Sequence, residues 1–180
     1  MLNAFKARIP SRESIRNIFT TSVIVIQAWA FFNLFREIPA IRLRLEFWDV
    51  LGTVAYIQAF ALLESLFVTG IIVLLGMLLP NRLRQSKFSA LGTTAIVVAA
   101  CWSIYIHYDL LPLKEWPPLK VFDRVAILVI GLIITLIPVW YFDQVSTAID
   151  KLIREGFILA QLYSLIGVLS IIIVIIRNVA

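Results

Sequence analysis

The chain has 180 residues, of which 61% are hydrophobic and only 15% charged, with a formal net charge of +5. Soluble domains run closer to half apolar and a quarter charged, so too few polar side chains are present to clothe a soluble surface. The basic residues lie at the ends of apolar blocks, where cations meet anionic lipid headgroups, and this placement argues against nucleic acid as a partner.

A membrane-crossing helix needs about 20 apolar residues at about 1.5 Å each. Five segments qualify, at about 16–35, 48–79, 89–110, 121–142 and 157–176. The expected fold is all-α: a polytopic integral membrane protein forming one compact bundle of five transmembrane helices over 1–180, plus one short amphipathic helix. Short connections make neighbouring spans antiparallel.

The first segment, RNIFTTSVIVIQAWAFFNLF, follows Lys6, Arg8 and Arg12 and ends near an AWA triplet, the outline of a secretory leader. Thr20, Thr21, Ser22 and Gln27 are too polar for a leader's core, so a retained span is expected. Thr20 and Gln27 share one helical face, with Asn17 close by. Residues 36–46 (REIPAIRLRLE) contain Pro39 and predict an interfacial connection.

The second segment aligns Gln58, Ser65, Thr69 and Gly76 along one line at about 100° per residue. Packed against the polar face of the first segment, this line would give Gln27 and Gln58 hydrogen-bond partners. Interhelical glue is the expected role, with a polar solute path as the alternative.

Glu64 lies in the same segment, the only charge between Val50 and Leu79. It is six residues from Gln58, which puts it about 120° off the polar line. An acid in hydrocarbon is costly and is a functional-site candidate by default. Three arrangements accommodate it. The carboxyl carries a proton, or it meets a donor on a partner chain, or the helix breaks near Thr69–Gly70. From Val50 to Leu79 is 30 residues, about 45 Å of helix against a hydrocarbon core of about 30 Å, which leaves room for a break. The candidate intramembrane polar site is therefore Glu64, Gln58, Gln27, Ser65 and Thr69.

Residues 80–87 predict a tight basic turn. In the third segment Gly92, Ala95, Ala99 and Ser103 form a small-residue face. Cys101, the lone cysteine, is expected to be a packing residue. His107, the only histidine, and Asp109 close the segment. They are an acid–base candidate, but interfacial anchoring beside Tyr105 and Tyr108 is the preferred role. Residues 107–120, rich in proline and aromatics, predict an irregular loop.

The fourth segment pairs Gly131 with Thr135 ahead of Pro138, where a kink is expected. Asp143 reads as a cap. Residues 143–155 put Val145, Ile149 and Leu152 on one face, which predicts an amphipathic helix lying on the membrane or extending a span. The fifth segment carries Gly156, Ala160, Ser164 and Gly167 at helical spacing. Trp48, Trp102, Trp116 and Trp140 sit near span ends like an aromatic belt.

Counting Lys and Arg on each side of a five-span chain gives nine against seven, favouring a cytoplasmic N-terminus. Compactness and the lack of sorting motifs point to a prokaryotic plasma membrane. No phosphate loop, HExxH, GxSxG or TVGYG-like filter occurs, and no lysine lies in mid-span. No cofactor, metal or enzymatic activity is expected. The leading expectation is a non-catalytic subunit, anchor or scaffold that meets lipid and either its own copies or a partner membrane protein. The rival is a small proton, cation or solute transporter or channel using Glu64.

Overall fold

The structure is a computed structural model that describes residues 9–78, 87–108 and 118–179. Its elements are α1 (Arg12–Arg42), α2 (Phe47–Leu78), α3 (Phe88–His107), α4 (Pro118–Tyr141) and α5 (Asp143–Val179). No strand occurs among the described residues. All five helices are long and apolar enough to cross a membrane.

Helix α1 starts at a serine cap. The Ser11 hydroxyl accepts from the Ser14 backbone N–H at 3.1 Å, satisfying one of the first-turn donors. The helix then runs through Pro39, which removes only the donor that would have met the Phe35 carbonyl, and closes where Arg44 and Leu45 donate to Ile41. Residues 36–42 thus belong to the helix and not to an interfacial connection. Charge alone does not end a helix, and one proline did not either.

Helix α2 is a single α-helix of 32 residues, with no break at Thr69–Gly70. At the other end of the chain only Phe142 separates α4 from α5, and its carbonyl accepts from both Val145 and Ser146. The expected short amphipathic helix is not a separate element. Residues 143–155 form the first turns of the 37-residue α5, since no proline interrupts them and Gly156 stays helical. They extend a span, one of the two expected placements, and Val145 and Ile149 on the expected apolar face are half-buried. Ser146 and Ile153 are buried, while Leu152 is 70% exposed.

Helix α1 is the hub, packing on α2, α3 and α5. Ile18, Phe88 and Ile96 form one core with Val68 and Ile72, and Val23, Leu62 and Ala160 form a second with Tyr163 and Ile171. Helix α4 is outermost and rests on α3 and α5, and Val139 is its one fully buried apolar side chain among the described residues. Trp102 fastens it by donating from its indole N–H to the Arg124 carbonyl at 2.9 Å. At the opposite corner Lys87 pairs with Asp143 at 2.7 Å and donates to the Trp140 carbonyl.

Candidate functional site

Helix α2 has two faces with different chemistry. Its inner face carries Gln58 and Ser65, both 0% exposed, and Thr69 at 8%. On α1, Asn17, Thr20, Ser22 and Gln27 are also buried, and Ser22 and Gln27 reach α2. The two polar lines read from the sequence meet at Gln27 and Gln58, while Asn17 turns to α3.

The hydroxyls in this seam mostly serve their own helix. Ser65 donates to the Ala61 carbonyl, Thr69 to the Ser65 carbonyl and Ser22 to the Ile18 carbonyl. Across the interface Thr69 donates to the Ser22 hydroxyl at 3.2 Å. Gln27 donates to the backbone carbonyl of Gln58, at 3.4 Å. The Gln27 side-chain oxygen and both amide atoms of Gln58 find no partner among the described residues. An orphaned buried polar group costs about 1–3 kcal/mol.

A second polar cluster sits nearer the start of α1. Asn17 donates to the Ser89 hydroxyl at 3.1 Å, and Ser89 donates to the Asp150 carboxylate at 2.7 Å. Thr21 and Thr93 pair at 3.3 Å. The sequence reading passed over Ser89, Thr93 and Asp150. The available signal was the four-residue spacing of Ser89 and Thr93, which places both on one turn-to-turn line. That line is the face α3 buries, with Gly92 and Ile96, whereas Ala99, Cys101 and Ser103 of the same helix are exposed. Cys101 is thus not a packing residue within this chain, and the expected small-residue face of α3 is packed only at its Gly92 end. The buried residues of α3 all lie in its first half.

Glu64 occupies the other face of α2. It is exposed, and no described residue hydrogen-bonds or pairs with it. It lines a groove of about 440 Å³. Val68 and Ile72 of α2 join Phe88 and Ile96 of α3 around Ile18. Farther along, α2 and α3 part and uncover α1. Ile26 and Trp29 of α1 line the groove between them, Tyr56, Phe60 and Glu64 line it from α2, and Ala100 and Ser103 from α3.

His107 is exposed and meets Trp29 edge-on, with ring centres 5.4 Å apart, and Tyr108 stands beside both. Of this aromatic group only Trp29 lines the groove. Asp109 lies outside the described residues. Among those described, no three His, Cys, Asp or Glu side chains cluster as metal ligands would.

Comparison with protein-family models, curated proteins and solved structures gave no match. The chemistry of the site has to be argued from its own residues. It consists of a sealed, neutral seam between α1 and α2 and, about 120° around α2, an outward carboxylate in a groove walled by apolar and aromatic side chains.

Proposed function

We propose that this chain is a polytopic integral membrane protein whose five helices all cross the bilayer, with the N-terminus in the cytoplasm. It acts without catalysis, as a subunit or scaffold that binds within the membrane through the outward face of α2. One observation carries this reading. An acid at the middle of a 32-residue apolar helix faces outward and has no partner among the described residues. In hydrocarbon such a group requires a proton, a donor or a countercharge, and a protein contact supplies the last two.

The transport alternative would line one path with Glu64, Gln27 and Gln58. Gln58 and Glu64 stand on different faces of α2: the first meets Gln27 of α1 in the seam, and the acid lines the groove. That separation favours the contact role.

The test uses the purified chain and its native membrane. Glu64→Leu should abolish a stable association, with itself or a partner, that Glu64→Gln preserves in part. The reading fails if both variants associate like the parent, or if Glu64→Gln abolishes a proton or cation flux that the parent carries in liposomes.

A further inference from the structure

The outward face of α2 has a finer pattern. Ile57, Phe60, Glu64, Phe67, Ile71 and Leu74 follow one another at alternating intervals of three and four residues. Apart from Ile57 they are exposed: Phe60 by 64%, Phe67 by 68%, Ile71 by 41% and Leu74 by 62%, with Glu64 among them. A repeat averaging three and a half residues is the seam along which one helix packs on another, and a single polar residue in such a seam fixes register and partner. Beside Glu64 the groove offers room for a long side chain against Ile26, Phe60 and Trp29.

Charge decides between occupants. A second copy packed α2 to α2 would bring one Glu64 against the other. No described basic side chain is placed to answer it. Arg124 is stacked on Tyr105 at 4.6 Å and, like Arg16, Arg36, Lys151, Arg154 and Arg177, lies within the outer third of its own helix. Charges inside a bilayer are carried in pairs.

We infer that the α2 seam seats a transmembrane helix of a different protein, one carrying a lysine or arginine at the depth of Glu64. The partner's apolar knobs pack along Phe60, Phe67 and Ile71, while its basic side chain enters the groove and meets the carboxylate. This rests on the reading of α2 as a contact face and names the chemistry of the partner.

The experiment places the full chain in liposomes with a synthetic leucine–alanine helix of about 21 residues, labelled with an energy acceptor and bearing one central lysine. Transfer from the chain's tryptophans reports binding. The lysine helix should bind about tenfold tighter than its all-apolar counterpart. That advantage should vanish in Glu64→Leu and when the lysine is moved two turns along. Phe67→Ala keeps the acid but removes a knob, so it should weaken the lysine helix and leave uptake of a long-chain alkylamine unchanged. Equal binding of both helices overturns the inference, as does a lysine advantage that survives Glu64→Leu. Stronger association of the chain with itself through Glu64 also overturns it, while leaving the contact role of α2 intact. Loss of every Glu64-dependent association would remove both.

Discussion

Arg177, two residues from the end of α5, crosses the backbone of Gly52 to reach Asp49 and the Trp48 carbonyl at the start of α2. The crossing needs the glycine, because a Cβ there would collide with the guanidinium. An alanine would therefore displace the arginine head, and the long side chain can move at little cost. An ion pair this exposed is worth at most about 1 kcal/mol. Alanine in place of a helical glycine returns up to about 1 kcal/mol. Gly52→Ala should accordingly be close to neutral in the parent chain and stabilising in an Arg177→Leu background. Thermal unfolding in detergent reads both. An equal gain in the two backgrounds would mean that Arg177 does not use the space above Gly52.

Gly70 and Gly167 form a contrasting pair. A Cβ at Gly70 meets nothing within 4 Å, so Gly70→Ala should stabilise the isolated chain by up to about 1 kcal/mol. At Gly167 the same atom would lie 2.8 Å from Leu62 Cβ and 2.9 Å from Leu62 Cδ2. A Cβ is fixed to its backbone and cannot swing away, so Gly167→Ala must push α5 off α2 at a cost of about 1–3 kcal/mol. Opposite shifts in the unfolding midpoint are expected. A gain at both positions would show that α5 can move off α2 at little cost.

The helices themselves could be read from the sequence because their apolar lengths match the bilayer, a constraint with few solutions. The inner faces of α1 and α2 were also legible. Thr20, Gln27, Gln58 and Ser65 are polar islands in apolar helices, and helical spacing alone aligns them. What escaped the reading was how the apolar helices pair. Beyond Thr93 of α3 and Gly156 of α5 the helices are apolar almost all round, so no polar stripe marks the buried side there, and fit between small residues chooses it. The same reasoning explains Asp150. Its charge suggested a solvated face, but its partner, the Ser89 hydroxyl, belongs to another helix and leaves no mark in the local sequence.

The Asn17–Ser89–Asp150 chain joins α1, α3 and α5 through one hydroxyl. Removing that hydroxyl should therefore couple to both neighbours. In a double-mutant cycle, Ser89→Ala with Asn17→Leu should give an interaction energy near 0.6 kcal/mol, and no more than about 1.7 kcal/mol, the range for such bonds in membrane proteins. Ser89→Ala with Thr93→Val should be additive, since Thr93 pairs with Thr21 instead. An interaction energy of zero for the first pair would mean that the Asn17–Ser89 bond does not hold α1 to α3.

Gln58 and Thr69 lie on the same buried line of α2 and should respond in opposite directions. The Thr69 hydroxyl shares its one proton between two oxygens, the nearer in its own helix and the other on α1. Thr69→Val keeps the shape and forfeits those bonds, a loss of about 0.6 kcal/mol. Gln58 is fully buried, yet neither atom of its amide has a partner among the described residues. Its backbone carbonyl, which receives the Gln27 amide, survives any substitution. Gln58→Met preserves the length of the side chain and removes two orphaned groups, each costing about 1–3 kcal/mol while buried. The variant should therefore unfold at a higher temperature than the parent, while the Gln27 oxygen remains without a partner. If Gln58→Met instead unfolds earlier by more than Thr69→Val does, the Gln58 amide is held by a group outside the described residues, and the seam between α1 and α2 contains more than structural glue.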